Sequence, residues 1–279
     1  MVIISSLQTP RRSIISNELN KEDIALLGLL KASAKKKDLR AGTTLHNEIR
    51  RKGLLEKNPH LATTLISLYA KCGVMSKAQQ VLEELPVRDV ISWNSLIAGY
   101  AQHGRGHEAL NCFEQMQNEG LFPDIITFLC TLKSCGSIGE IDKGKQIHNT
   151  IVCSGLLEKD ITLGNALVDM YAKCGLLQKA EQVLDGLIEC DIVSWNALLT
   201  GYVEQGEGEG ALNCFQRMQS KGFSPDEITF LCLLKACGDK REVEQGQQIH
   251  EELKSRGLLH KNIMLGTALV EMYAKCGML

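Results

Sequence analysis

A long internal repeat constrains this chain more than any other feature of its sequence. The string Tyr-Ala-Lys-Cys-Gly begins at Tyr69, Tyr171 and Tyr273, and both intervals are 102 residues. An ungapped alignment of residues 69–170 with residues 171–272 gives 55 identical positions. Identity at this level indicates duplication of one structural segment. A chain built in this way does not need a single closed core, and its function is usually spread along a surface.

Composition narrows the classes of function. The net charge is −2, which argues against unselective phosphate binding as the main activity. No apolar run is long enough to predict a membrane span. Nine of the eleven cysteines occupy repeat-equivalent positions and no Cys-x-x-Cys pair occurs. The cysteines are therefore predicted to be small, buried, reduced packing residues, not zinc ligands or a redox pair.

The first residues differ from the rest of the chain. The first acidic residue is Glu18, and serines, threonines and two arginines precede it. This composition is typical both of an organelle transit segment and of a disordered lead-in, and both interpretations of residues 1–22 stay open.

Apolar residues within the period recur at helical spacing. Leu65, Leu68, Tyr69 and Cys72 lie at i, i+3, i+4 and i+7, and Gly73 then suits a helix end that needs a positive φ. Similar stripes follow, separated by glycine or Pro-Asp turns, which predicts short helices in pairs. The period divides into pairs of 31, 35 and 36 residues. The predicted repeats are 23–58, 59–89, 90–124, 125–160, 161–191, 192–226, 227–262 and an incomplete 263–279.

At this point the residues resemble a known family. The segment Val90–Asp124 is similar to a pentatricopeptide repeat of the standard 35-residue type, and so is the segment 192–226. The first of these segments reads VISWNSLIAGYAQHGRGHEALNCFEQMQNEGLFPD. The 36- and 31-residue repeats resemble the long and short variants of the PLS subclass, found mostly in land plants. The resemblance runs from Asp23 to Leu279 and implies an all-α fold, a right-handed α-solenoid superhelix. The incomplete last repeat predicts a fragment or a truncated C-terminus.

The resemblance implies binding of single-stranded RNA, with one base read per repeat by the fifth and the last residue. Threonine with aspartate favours guanine, and asparagine with aspartate favours uracil. Second residues such as Ile91 and Val193 pack between adjacent bases. The predicted order of bases is x-G-U-x-U-U-x, with a purine next if Thr267 acts like Thr63. The implied reading pairs are Thr63 with Asp89, Asn94 with Asp124, Asn165 with Asp191, and Asn196 with Asp226.

Leucine occupies the fifth position of the long repeats, at Leu27, Leu129 and Leu231. Leucine cannot form a hydrogen bond with a base, so these repeats are predicted to contribute spacing and packing. The aspartates that end the other repeats have a second interpretation, because each precedes a new helix, where an N-cap belongs.

Trp93 and Trp195 are predicted to lie in the core between repeats. His46, His148 and His250 are predicted to pack as well. Two of these histidines begin an H-x-E string, but the P-C-x-x-C half of a zinc deaminase motif is missing.

The sequence therefore predicts a non-catalytic, monomeric RNA-specificity module that needs no metal, cofactor or membrane. The resemblance implies RNA processing such as C-to-U editing, with editing or processing proteins as partners, in a mitochondrion or chloroplast. A scaffold for protein–protein interaction, like a tetratricopeptide array, stays open as the alternative. The mean repeat length of this chain is 34 residues, which is also the length of a tetratricopeptide repeat.

Overall fold

The computed structural model describes residues 21–278. Over that range it contains fifteen α-helices and no β-strand. The helices fall into two compact parts, an N-terminal part that ends at Arg88 and a C-terminal part that begins at Asp89. The predicted lead-in of residues 1–22 lies outside the described residues as far as residue 20, and the first helix begins at Lys21.

The N-terminal part contains four helices, α1 (Lys21–Lys36), α2 (Leu39–Arg51), α3 (Pro59–Lys71) and α4 (Met75–Glu83). Helix α1 packs against α2 and α3, α2 packs against α3, and α3 packs against α4. Leu30, Ile49 and Leu65 are fully buried where these helices meet. Each such side chain contributes about 1.5–3 kcal/mol of transfer free energy.

In the C-terminal part each complete repeat contributes two helices, which we call its first and its second helix, and the two kinds alternate along the chain. Each first helix packs against the next first helix, and each second helix packs against the first helices on either side of it. The first helices therefore form one layer and the second helices another. The bounds are α5 (Val90–Gln102), α6 (Gly106–Asn118), α7 (Ile125–Ile138), α8 (Ile141–Cys153), α9 (Ile161–Lys173), α10 (Leu177–Gly186), α11 (Ile192–Glu204), α12 (Gly208–Ser220), α13 (Glu227–Lys240), α14 (Val243–Ser255) and α15 (Ile263–Lys275).

Helix ends follow the local sequence. The glycine of each Tyr-Ala-Lys-Cys-Gly string has a positive φ, 76° at Gly73, 75° at Gly175 and 74° at Gly277, as the sequence predicts. A second left-handed position closes the first helix of the long repeats, with φ of 74° at Gly139 and 59° at Arg241. An arginine in that conformation carries a steric cost that glycine avoids.

The core lies between the two layers of helices. Trp93 is 2% exposed and Trp195 is 1% exposed, which confirms that the tryptophans are core residues. The tyrosines of the repeated string, Tyr69 and Tyr171, are equally buried. None of the helices described between residues 21 and 278 combines the length and the apolar character needed to cross a membrane.

Candidate nucleic-acid interface

Four of the predicted reading residues are aspartates that begin a helix. The carboxylates of Asp89, Asp124, Asp191 and Asp226 accept hydrogen bonds from the backbone N–H three residues on, at 2.8–2.9 Å. The hydroxyl of that third residue accepts in turn from the backbone N–H of the aspartate at 3.1–3.2 Å. This reciprocal arrangement is a capping box, so the N-cap interpretation of these aspartates is confirmed.

Two of these aspartates, Asp124 and Asp226, also bond the fifth residue of a standard repeat. Asn94 Nδ2 donates to Asp124 Oδ1 at 2.9 Å, and Asn94 Oδ1 accepts from the hydroxyl of Thr127 at 2.6 Å. Since a carboxylate only accepts and a hydroxyl here donates, the amide has one possible orientation. Asn94 is 5% exposed. The fifth and last residues of the repeat are thus joined in one polar network with the first turn of the next helix.

The network recurs one period later with nearly the same geometry. Asn196 Nδ2 lies 2.9 Å and 3.0 Å from the two carboxylate oxygens of Asp226. Asn196 Oδ1 accepts from the hydroxyl of Thr229 at 2.7 Å. Asn196 is 5% exposed, like its counterpart.

The short repeat 161–191 forms the same network with serine in place of threonine. Asn165 Nδ2 donates to Asp191 Oδ1 at 3.2 Å, and the hydroxyl of Ser194 donates to Asn165 Oδ1. The hydroxyl residues of these networks were not among the predicted site residues. The spacing Asp-x-x-Ser/Thr at each helix start is the signal that marks them.

Threonines at the fifth position are held differently. The hydroxyl of Thr63 donates to the carbonyl of Pro59 at 3.0 Å. In the same way, the hydroxyl of Thr267 donates to the carbonyl of Ile263 at 3.1 Å. Both bonds stay within one helix turn. Thr63 is half-buried and Thr267 is exposed.

Apolar side chains at the second position lie exposed beside these networks. Ile91 is 58% exposed and Val193 is 54% exposed. The second residues of the long repeats behave in the same way, with Ile126 at 56% and Ile228 at 52%, and the sequence reasoning did not select them. Exposed branched side chains at a fixed repeat position form flat apolar surfaces on which a planar ring can pack.

The fifth residues of the long repeats have no polar function. Leu27, Leu129 and Leu231 are half-buried. Their chemistry excludes a hydrogen bond to a base edge. Their role in spacing and packing the repeats stays a prediction.

The three histidines of the long repeats bond the tyrosine of the following repeated string. The distances from Nδ1 to the tyrosine oxygen are 2.8 Å for His46–Tyr69, 2.9 Å for His148–Tyr171 and 3.0 Å for His250–Tyr273. Burial lowers the pKa of His46 and of His148. The predicted packing role is confirmed, and residues 21–278 contain no cluster of three or more metal-ligating side chains.

Five of the cysteines are buried, five are half-buried and one is exposed. Burial raises the pKa of Cys112, Cys135, Cys214 and Cys237 to about 12, which makes these thiols poor nucleophiles. Cys153 is exposed, so the prediction of buried packing is wrong for it. It lies on the last turn of α8, and its repeat equivalent is Ser255.

Paired helices in two layers, with repeating caps, define an all-α helical repeat protein. The PPR repeat family model matches residues 88–137 and 191–239, and the PPR repeat model matches residues 61–90, 165–192 and 228–258. The chain belongs to the PPR, or pentatricopeptide, repeat family.

Two pentatricopeptide repeat-containing proteins of Arabidopsis thaliana illustrate the relationship. A mitochondrial one is 36% identical over 258 residues, which cover 92% of this chain and 25% of that protein. A chloroplastic one is 33% identical over 255 residues, covering 91% and 41%. The chain therefore spans less than half the length of these relatives.

A solved structure supports the fold. The crystal structure of the pentatricopeptide repeat protein PPR10 in complex with an 18-nucleotide psaJ RNA element superposes with a TM-score of 0.74. It covers 93% of this chain and 38% of PPR10, at 20% sequence identity. The prediction of an all-α helical repeat fold is confirmed.

Proposed function

We propose that this chain is a sequence-specific, single-stranded RNA-binding module that reads about one base per repeat. One observation carries the proposal. At three junctions the fifth and last residues of a repeat are bonded together. At the two junctions of the standard repeats, the second residues of that repeat and of the next one are apolar and exposed. The PPR10 complex with RNA supports this assignment through the shared fold. The reading pairs are those predicted from the sequence, with Thr63 and Asp89 for guanine, the three asparagine–aspartate pairs for uracil, and Thr267 for a purine.

The asparagine amide retains the groups that a uracil needs. Asn94 uses one Nδ2–H on Asp124 and one Oδ1 lone pair on Thr127, so one donor and one acceptor remain. Uracil and cytosine present a donor and an acceptor on neighbouring atoms in opposite order. Because Asp124 prevents the amide from turning over, the order on the protein is fixed. A fixed order is the requirement for distinguishing uracil from cytosine.

The exposed second residues supply the remaining contact. Ile91 is the second residue of α5 and precedes Asn94 by three residues, and Ile126 is the second residue of α7. A base inserted between such side chains is covered on both faces and turns its edge toward the polar network. Val193 and Ile228 offer the same arrangement around Asn196. Apolar surface that water covers in the free protein is buried when RNA binds.

The test of base reading measures uracil against cytosine at one position. Fluorescence anisotropy compares labelled single-stranded RNA in the order x-G-U-x-U-U-x with the same RNA carrying cytosine opposite residues 90–124. We expect roughly tenfold preference for uracil, the size of one good base contact. Asp124→Asn keeps an N-cap but lets both amides turn, so the preference falls toward unity.

The matched control for that test is Asp226→Asn. It leaves the discrimination opposite residues 90–124 intact and reduces only that opposite residues 192–226. Equal binding of all bases by the unchanged chain contradicts base reading. Absence of binding to any RNA contradicts the whole proposal and favours a scaffold for protein partners, as in tetratricopeptide arrays.

The names of the relatives support a location in an organelle. Mitochondrial and chloroplastic proteins are among the curated relatives. We assign the chain to one of these two organelles, where it guides RNA processing such as C-to-U editing.

The alternation of 31-, 35- and 36-residue repeats supports the PLS subclass. In this role the monomeric repeats select the transcript without catalysis or a cofactor, and protein partners carry out the processing. Imaging of a fluorescent fusion and sequencing of organellar transcripts after gene disruption test both points; a cytosolic fusion or unaltered transcripts contradict them.

A further inference from the structure

A lysine occupies the ninth position of every long repeat. Lys31, Lys133 and Lys235 are separated by one full period each. No other repeat has a basic residue there. The ninth residues of the remaining repeats are Ser67, Ala98, Asp169, Thr200 and Glu271. The long repeats, which cannot read a base through leucine, are therefore the ones that carry this positive charge.

These three lysines are exposed, and none forms an ion pair with a carboxylate among residues 21–278. Several other cations of the described chain are paired with carboxylates. Lys143 bonds Glu114 at 2.6 Å, and Arg217 bonds Glu181 and Asp185 at 2.8 and 2.7 Å. The ammonium groups of the ninth position thus contribute no pairing energy to the fold and remain available to a ligand.

The lysines share a helix face with the second and fifth residues. In α7, Ile126, Leu129 and Lys133 follow one another at spacings of three and four residues, which places them on one face. Ile126 on that face is 56% exposed. The second and fifth residues of the reading repeats, Ile91 and Asn94, have the same spacing on α5.

The surroundings of Lys235 show how the charge is kept free. Leu231 and Lys235 line a shallow groove of about 180 Å³ between α13 and α15. Glu271 and Lys275 line the same groove and bond each other at 3.0 Å. Lys275 also bonds Asp239 at 2.8 Å. The nearby carboxylates are thus held by another lysine, and Lys235 keeps its charge beside the leucine that cannot read a base.

We propose that Lys31, Lys133 and Lys235 bind the phosphodiester groups of nucleotides that lie over the long repeats. This inference rests on the proposed RNA-binding function and extends it. A nucleotide whose base is not read still carries a phosphate of charge −1. Lysine is a flexible point charge that neutralises a phosphate without demanding a fixed geometry. The long repeats then hold the RNA backbone every third repeat and keep the flanking bases in register.

Salt dependence tests the inference, because each neutralised phosphate of a single strand adds about 0.7 to the slope of log affinity against log salt concentration. The triple variant K31Q/K133Q/K235Q removes the charge but keeps a polar, unbranched side chain of similar helix propensity. We expect its slope to fall by about 2 relative to the unchanged chain, with the uracil-to-cytosine preference unaltered. The matched control is Lys179→Gln. Lys179 is an exposed lysine of α10, the second helix of its repeat, and among residues 21–278 its amine bonds only Gln182.

A second measurement locates the contact. Single methylphosphonate linkages, which carry no charge, replace phosphates along the RNA one at a time. Lys133→Gln is expected to abolish the penalty of one linkage opposite residues 125–160 and to leave the others. If the triple variant has the same salt slope as Lys179→Gln while the unchanged chain still prefers uracil to cytosine, the inference is overturned and the proposed function is not. An unchanged chain that binds no RNA overturns the proposed function, and this inference with it.

Discussion

The two copies of the period in the C-terminal part, residues 90–191 and 192–278, agree in the polar networks of their standard repeats and differ in their supporting contacts. The bond from asparagine to aspartate is 2.9 Å in both, and the histidine–tyrosine bond is 2.9 Å in one and 3.0 Å in the other. In contrast, Trp93 Nε1 donates to Glu119 at 2.9 Å, whereas Trp195 Nε1 has no hydrogen-bond partner among residues 21–278. The equivalent of Glu119 is Lys221.

The copies also differ at a helix end. Gly139 closes α7 in the left-handed conformation, and Arg241 closes α13 in the same conformation. Glycine suits this conformation and arginine does not. Both copies keep the same reading pair in the standard repeat, and the long repeats keep the same second, fifth and ninth residues. The fifth residue of the short repeat changes from Asn165 to Thr267. The partner of the tryptophan and the residue at the helix end, which only stabilise the fold, have also diverged. A stacked array tolerates such losses because each repeat also draws stability from its neighbours.

The largest effect is expected where the copies agree. Asp124→Ala and Asp226→Ala each remove an N-cap and leave a buried asparagine amide without its acceptor. Each is expected to cost about 2–3 kcal/mol, the sum of a cap and an unsatisfied buried group. Amide hydrogen exchange in α7 and α13 measures the local loss. Asp124→Asn and Asp226→Asn are the controls, and a large loss in only one copy contradicts equivalence of the networks.

The next largest effect is expected from exchanging the residues that end α7 and α13. Arg241→Gly is expected to stabilise α13 by about 1 kcal/mol because it removes left-handed strain, and Gly139→Arg is expected to cost about as much. Thermal unfolding of both variants measures the difference. Arg241→Ala retains a β-carbon and should gain nothing. Equal stabilisation by glycine and alanine would show that the arginine side chain, not the backbone conformation, carries the cost.

A smaller effect is expected from exchanging the residues beside the two tryptophans. Glu119→Lys removes the acceptor of Trp93 and is expected to cost about 1 kcal/mol. Lys221→Glu gives Trp195 an acceptor but places a negative charge at the end of α12, so its gain is about 0.5 kcal/mol. Urea unfolding followed by tryptophan fluorescence reports both. Lys221→Gln separates hydrogen bonding from charge, and destabilisation by Lys221→Glu contradicts the comparison.

The smallest effect concerns pH. Burial lowers the pKa of His148 below its ordinary value of 6.5, with a further contribution from Lys179. The unfolded chain therefore binds more protons than the folded chain just below pH 6.5. Stability is complete above that pH and declines as the pH falls toward the lowered pKa. The half-buried ring remains partly solvated, which limits the loss.

The variant His148→Gln measures that loss, since it removes the titrating group while leaving a side chain that can bond Tyr171. The decline in melting temperature below pH 6.5 should be shallower in the variant than in the unchanged chain. Identical pH profiles for the two proteins contradict a contribution from His148.

Much of the helix pattern could be predicted because its causes are local. Each of the four capping-box aspartates accepts from a backbone group three residues away, and each glycine of the repeated string adopts its positive φ within one turn. The networks of Asn94 with Thr127 and of Asn196 with Thr229 could not be predicted in this way. They join residues 33 positions apart, and their existence depends on how two first helices pack.

The exposure of individual positions was equally a matter of packing. Ile126 and Ile228 look like core residues in an apolar run, yet they are more than half exposed. Cys153 was expected to be buried and is exposed. A helical stripe shows which residues share a face, but the neighbouring helix decides which part of that face is covered.

By itself the sequence determined the period, the helical pairs, the capping aspartates and the family, because each follows from identity across 102 residues or from forces that act within a turn or two. Only the tertiary structure decided which amide meets which hydroxyl, which tryptophan lacks a partner and which lysines remain unpaired among the described residues. Those outcomes depend on the distance between side chains from separate helices, and that distance is set by the packing of the layers.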